Sequence, residues 1–113
     1  MQVDEVLGQL KELSGKMVTI EGIFVMKNET GYLVSNEANV DNSEKAIGVE
    51  GYDLKKRLLS RVPAYGGSKF SYCDSAKITG IILCREGSVF TGLLVEIEKF
   101  EIEKYGEQLM VIP

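Results

Sequence analysis

Histidine and tryptophan are absent from this chain of 113 residues, and it contains only two cysteines and two prolines. Without histidine it has no Ser-His-Asp or Cys-His arrangement to activate a nucleophile, no imidazole base and no histidine ligand for zinc. Pairs of carboxylates remain candidates for acid–base catalysis, because Asp and Glu total 17. Most of these residues, however, alternate along predicted strands or lie in loops, as expected for a solvated surface. We therefore expect no enzymatic activity, no metal site and no cofactor.

The two cysteines, Cys73 and Cys84, are predicted to be free thiols. Both fall on one predicted strand, where they lie about 36 Å apart at about 3.3 Å per residue, whereas a disulfide needs Cα atoms within about 7 Å. Free thiols are typical of a reducing compartment. Long apolar runs are missing, and residues 1–5 are acidic where a secretory signal is basic. These features predict a soluble, cytoplasmic protein.

A long strand with a central glycine is predicted over residues 16–27. Apolar residues alternate on one face, with Gly22 between them, and the second half of the strand is apolar on both faces. Such a strand can take part in two sheets, with its first half in one and its second half in both. A second predicted strand, over residues 72–84, also has a central glycine, Gly80. Because glycine in a strand is tolerated where the backbone coils or bulges at a barrel corner, these patterns predict a small closed barrel.

Apolar periodicity along the rest of the chain predicts the remaining elements of one domain spanning residues 1–113. A bulge near Glu98 and Lys99 would explain why the apolar parity of the fifth strand shifts before Phe100. The other predicted elements are helices over 3–13 and 52–62, strands over 32–35, 46–50 and 89–97, and an edge strand over 109–112. The expected fold is mainly β, with a helix between strands three and four, an N-terminal helix and a C-terminal edge strand.

This order of elements is that of the OB-fold, a five-stranded Greek-key barrel. Residues 10–24, LKELSGKMVTIEGIF, resemble the opening of many OB domains, in which a helix and a Gly-Lys pair precede a strand of the form Val-x-Ile-x-Gly. Residues 76–82, AKITGII, repeat that form where strand four is expected. The chain is similar in this to the anticodon-binding domains of aminoacyl-tRNA synthetases and to small stand-alone bacterial OB proteins.

The resemblance implies a binding face on strands two and three, where OB-folds hold oligonucleotides or oligosaccharides. The aromatic residue that this face offers is Tyr32, and the turn at residues 28–31 carries Glu29 without a basic residue. Two roles stay open for Tyr32, which either stacks on a base or packs at the barrel rim.

Charge is unevenly distributed along the chain. Residues 1–50 carry a net charge of −5, residues 51–77 carry +4 and residues 78–113 carry −3, which together give −4. The basic region and its aromatics are candidate contacts for an anion or a nucleic acid. Together with Tyr32, the candidate binding residues are Lys55, Lys56, Arg57, Arg61, Tyr65, Lys69, Phe70 and Tyr72. A solvated helix face with aromatics that cover the end of the barrel explains the same composition.

The two acidic flanks favour another class of partner. A small acidic domain without catalytic groups suits a module that docks on a basic protein, because complementary charge speeds association and fixes orientation. Bacterial immunity proteins, which neutralise cationic toxins, are similar in size and charge. We predict a non-enzymatic module that binds a basic protein, in its most specific form an immunity-type inhibitor. A single-stranded nucleic-acid-binding domain is the alternative, and no membrane association is expected.

Overall fold

A computed structural model describes residues 1–27, 30–51, 54–62, 72–85, 87 and 89–112. Tyr65, Lys69 and Phe70 lie outside these ranges. The strands are β1 (Met17–Lys27), β2 (Thr30–Val34), β3 (Ala46–Val49), β4 (Tyr72–Cys84), β5 (Gly92–Lys104) and β6 (Glu107–Ile112). The α-helices are α1 (Val3–Gly8), α2 (Leu10–Leu13) and α3 (Leu54–Arg61). The predicted N-terminal helix is therefore divided into two at Gln9.

Strands β1 to β5 form a closed barrel. β1 pairs antiparallel with β2 and β4, β2 pairs with β3, and β4 pairs with β5. β3 lies parallel to β5 and closes the barrel, while β6 extends the sheet beyond β5. The predicted fold class is confirmed: a mainly β chain has a five-stranded barrel, a helix between β3 and β4, N-terminal helices and an additional C-terminal strand. This arrangement is compatible with an OB-fold.

Gly22 lies where β1 begins to pair with two strands at once. β1 pairs with β4 from Met17 to Met26, and its pairing with β2 begins at Ile23, opposite Val34. A Cβ atom on Gly22 would lie 2.8 Å from the Val34 carbonyl oxygen and 2.8 Å from Cγ2 of Val3. Glycine therefore allows β2 and α1 to approach the same point of β1, as expected for a strand that serves two sheets.

The bulge predicted near Glu98 and Lys99 of the fifth strand is present, over residues 96–98. Thr79 of β4 pairs with Lys99 and Ile81 pairs with Val95, so residues 96–98 of β5 lie opposite Gly80 alone. Glu96 adopts a φ of 48° within this bulge. The extra residues change which side chains of β5 face the barrel, which accounts for the shift in apolar parity.

The core fills the barrel and continues under the helices. Phe24 and Phe100 meet edge to face at its centre, with ring centroids 4.9 Å apart and an interplanar angle of 73°. The helices contribute buried apolar side chains to this core: Val3, Val6, Leu10, Leu54 and Leu58. Among the helices described, none combines the length and apolar character that a bilayer crossing requires.

Candidate functional site

The outer face of β2 and β3, where an OB-fold resemblance places a ligand, is covered by the chain itself. An apolar cluster outside the barrel buries Val25, Tyr32, Val34 and Ala46, with Ile23, Val40, Cys73 and Phe90 packed against it. The ring of Tyr32 lies 5.4 Å from that of Phe90 at an interplanar angle of 30°, and its hydroxyl donates to the Val40 carbonyl. Because Tyr32 is only 7% exposed, its geometry fits the packing role rather than base stacking.

Residues 36–45, which we call the acidic segment, provide part of this cover. Two 3-10 turns shape it, and the side chains of Asn36 and Asn42 each accept a hydrogen bond from the backbone N–H two residues later. Val40 is half-buried against Tyr32, whereas the carboxylate residues of the segment are exposed: Glu37, Asp41 and Glu44. The surface above the expected binding face is therefore acidic.

Tyr32 remains a neutral hydrogen-bond donor at physiological pH. Burial raises the pKa of Tyr32, and the negative charge of Asp41 raises it further. The phenol therefore keeps its proton, and its bond to Val40 links the acidic segment to β2.

Replacing Tyr32 with phenylalanine tests this link. We expect Tyr32→Phe to lower the free energy of unfolding by about 0.5–1.5 kcal/mol, because the ring keeps its packing while the Val40 carbonyl loses its donor. Urea denaturation followed by far-UV circular dichroism measures the change. An unchanged free energy of unfolding would show that the hydroxyl does not hold the acidic segment in solution.

Tyr72, another predicted site residue, is fully buried at the start of β4. Its hydroxyl donates to the Val62 carbonyl at 2.8 Å, which ties the residue following α3 to the barrel. Burial, and secondarily the carboxylate of Asp74, raises the pKa of Tyr72. The ring is therefore closed to a surface ligand, and the expectation that it contacts a nucleic acid directly does not fit its position.

A buried ion pair lies beside Tyr72. Nζ of Lys104 is 3.1 Å from Oδ2 of Asp74, and the two side chains are only 1% and 7% exposed. The same ammonium group lies 5.6 Å from the ring centroid of Tyr72 and 5.7 Å from that of Tyr105. The pair joins β4 to the end of β5, and the burial of both charges indicates a structural role.

The basic residues of the second predicted helix lie on α3. Lys56 and Arg57 are exposed, Lys55 is half-buried, and Arg61 is the last helical residue. α3 borders a shallow groove of about 760 Å³, lined on its helical side by Leu54, Lys55, Lys56, Leu59 and Ser60. Leu59 is 55% exposed there. The structure thus places the α3 cations on a different element from Tyr32 and Tyr72.

A second groove, of about 480 Å³, lies on the outer face of β1, β4 and β5 beside β6. Glu21, Lys77 and Glu101 form a row across the three strands, with Nζ of Lys77 3.7 Å from Oε1 of Glu21. Glu103 and its cross-strand neighbour Gln108 continue the groove. Its charged lining is three glutamates and one lysine, and Nζ of Lys99 lies 3.4 Å from Oε1 of Glu101, so the groove carries a small net negative charge.

Cys73 has the chemistry of an unreactive thiol. Both Cys73 and Cys84 are free and lie on β4, as predicted. Burial raises the pKa of Cys73, the charges of Glu37 and Asp74 raise it further, and Lys104 opposes them. Cys73 therefore stays protonated and poorly nucleophilic at neutral pH. Across the described ranges, no group of three or more cysteine or carboxylate residues is placed to hold a metal ion.

Two parts of this arrangement were missed by the sequence analysis. The sequence analysis assigned no helix or strand to residues 36–45, although Val40, an apolar residue among them, signals a contact with the barrel. Lys104 follows Phe100 and Ile102 at the same strand parity, and this spacing places it on the inward face. Sequence comparison adds nothing to these observations, since no family model, curated protein or solved structure matches the chain.

Proposed function

We propose that this protein is a non-enzymatic binding module that docks on a basic protein partner. The observation that carries the proposal is the acidic segment over the outer face of β2 and β3. Its exposed residues Glu37, Asp41 and Glu44 repel a polyanion from that face and attract a cationic surface.

The acidic groove beside β6 supports the same conclusion. It lies on a different part of the barrel and has three glutamates, Glu21, Glu101 and Glu103, along its lining. Acidic groups on two sides give the molecule a field that steers a basic partner toward it and orients the encounter. The formal net charge of −4 acts in the same direction.

In its most specific form, the proposal is an immunity-type inhibitor of a cationic toxin in a bacterial cytoplasm. Small size, acidic charge and the absence of histidine support this form, because inhibition by docking requires no catalytic group. A gene for a large basic toxin beside the gene for this chain would support it further.

Single-stranded nucleic-acid binding remains the alternative function because of α3. Lys56 and Arg57 are exposed on this helix, and exposed Leu59 lines the adjoining groove. Cations beside an apolar surface can hold phosphates while bases stack or pack nearby.

Charge reversal on the acidic segment tests the proposed function. A triple variant, Glu37→Lys, Asp41→Lys and Glu44→Lys, is compared as affinity bait with the unchanged protein. A matched control reverses three exposed carboxylates elsewhere, Asp4, Glu12 and Glu98, and so changes the net charge equally. We expect a basic protein to be captured by the unchanged protein and by the control, and to be lost with the acidic-segment variant. Equal loss with both variants would mean that net charge, and not this surface, determines docking.

Nucleic-acid binding is tested separately by fluorescence anisotropy. Labelled dT and rU oligomers of about 20 nucleotides are titrated at about 50 mM salt, where phosphate contacts are strongly felt. The docking proposal predicts binding no tighter than micromolar, unchanged by reversing Lys55, Lys56, Arg57 and Arg61 to glutamate. Submicromolar binding that this variant abolishes would refute the docking proposal in favour of the alternative.

A further inference from the structure

β6 has one edge against β5, and its other edge has no strand partner within the described part of the chain. Each barrel strand has a strand partner on both sides along at least part of its length, because β3 and β5 close the ring. An unpaired strand edge presents backbone N–H and C=O groups that another extended segment can bind. The edge of β6 is therefore a position on this barrel where a strand can be added without opening it.

The β5–β6 hairpin determines which backbone groups point outward. Tyr105 and Gly106 both have positive φ, 54° and 77°, as a two-residue type I′ turn requires. Lys104 and Glu107 therefore form the first hydrogen-bonded pair, and hydrogen-bonded and non-hydrogen-bonded pairs alternate from there.

Gln108 and Met110 fall at the non-hydrogen-bonded positions, opposite Glu103 and Glu101. Their N–H and C=O groups point away from β5, and no hydrogen bond of these groups is formed within the ranges that the structure describes. Gln108 is exposed and Met110 is half-buried, so water or a partner can reach this edge.

The two faces of the β5–β6 hairpin differ in chemistry. On the barrel side Leu109 is half-buried and packs against the core. On the outer side Glu103 is exposed beside Gln108, and Glu101 lies beside Met110, with one carboxylate oxygen 3.4 Å from Nζ of Lys99. A strand added to this edge would continue an apolar surface on one face and an acidic surface on the other.

We infer that β6 binds an extended segment of the basic partner as an added strand, in which lysine or arginine alternates with apolar residues. This inference rests on the proposed function and names its mode of recognition. Backbone hydrogen bonds to Gln108 and Met110 supply affinity, and the alternating side chains supply specificity, as in other cases of β-strand addition. A second copy of this chain fits less well, because pairing two β6 edges brings the glutamates of both copies onto one sheet.

The inference is tested with two synthetic peptides of equal charge. One alternates lysine with valine and threonine over eight residues, and the other alternates lysine with glycine. NMR spectra of the protein at low salt report the amides of Gln108 and Met110 in each titration. We expect the first peptide to shift these amide signals and slow their hydrogen exchange at least tenfold, with little effect from the glycine peptide, because glycine weakens strand formation.

A pair of substitutions at Met110 provides the matched control. Met110→Pro removes an outward N–H while keeping each hydrogen bond to β5, and Met110→Val keeps the N–H with a good strand former. We expect the proline variant to bind the valine–threonine peptide at least tenfold more weakly, and the valine variant to bind it within about twofold of the unchanged protein. Spectra of both free variants show whether the fold is retained.

Three outcomes in which a peptide binds would overturn strand addition: equal binding of the two peptides, binding without protection of the two amides, or full binding by a folded Met110→Pro variant. The first and second would still leave the proposed docking on a basic protein in place, because the charge-reversal capture experiment tests that function independently. Failure of both peptides to bind would also overturn strand addition. Support for the acidic segment as the docking site comes from that capture experiment, in which the acidic-segment variant must lose the basic protein.

Discussion

Replacing Lys104 with methionine is expected to lower the free energy of unfolding by about 3–5 kcal/mol. The substitution keeps a long apolar stem but leaves the buried carboxylate of Asp74 without the ammonium group 3.1 Å away. Contact of that ammonium with the ring of Tyr72 is lost as well. Urea denaturation, monitored by tyrosine fluorescence because the chain has no tryptophan, measures the change.

Two further variants separate the buried pair from ordinary surface charge. In the double variant Asp74→Asn and Lys104→Met, the uncompensated charge is gone, and we expect most of the lost stability to return. Lys99→Met breaks the ion pair with Glu101, in which the lysine side chain is 54% exposed. This substitution should change the free energy of unfolding by no more than about 1 kcal/mol. If Lys104→Met lowers the free energy of unfolding no more than Lys99→Met does, the result would contradict the buried placement of Lys104.

The second large effect is expected at Gly22, where Gly22→Ala should destabilise the protein by about 1–3 kcal/mol. The new Cβ would lie 2.8 Å from the backbone oxygen of Val34, and backbone in a paired strand cannot move aside as a flexible side chain can. The backbone of β2 must therefore shift away from β1, and the Val3 side chain of α1 must also move. Thermal or urea unfolding measures the loss, and hydrogen exchange locates it in the β1–β2 pairing.

Gly8→Ala is the matched control for this substitution. Gly8 is the last residue of α1, and a Cβ there would meet no atom within 4 Å. Alanine should therefore be neutral or stabilise the protein by about 0.5–1 kcal/mol, since it restricts the unfolded chain more than glycine does. Destabilisation by Gly8→Ala equal to that by Gly22→Ala would show that close packing against Val34 is not the cause.

The fold was predictable because local pattern and global architecture agree in this chain. Alternation over residues 16–27 and 72–84 predicted β1 and β4 almost to the residue, and the glycines at their centres predicted close approach. The parity shift before Phe100 predicted a bulge near Glu98 and Lys99, and the inserted residues are 96–98. Pattern shows that inserted residues exist, whereas their position depends on how β5 pairs with Gly80, which sequence alone does not specify.

The candidate site was less predictable because its character depends on contacts between distant segments. Tyr32 lies on the predicted strand, but its packing role depends on Val40 and Phe90, which reach it only after folding. The alternation of β5 indicated that Lys104 lies on the inward face of the strand. Its partner Asp74 lies thirty residues earlier and is identified only by the β4–β5 arrangement. The composition of the basic region likewise could not show that Tyr72 is buried whereas Lys56 and Arg57 of α3 are exposed.

The parallel pairing of β3 with β5 has a consequence for how the chain folds. β1 to β3 and β4 to β6 are two three-stranded meanders, each made of strands adjacent along the chain. Assembly of the barrel needs β1 to meet β4 and β3 to meet β5 across the segment that contains α3, so the loop-closure entropy of that segment is paid at this step. We therefore expect docking of the two meanders to be the slow event in folding. Ile47, Gly48 and Val49, which form the short β3–β5 contact, are then expected to be among the last residues to become ordered.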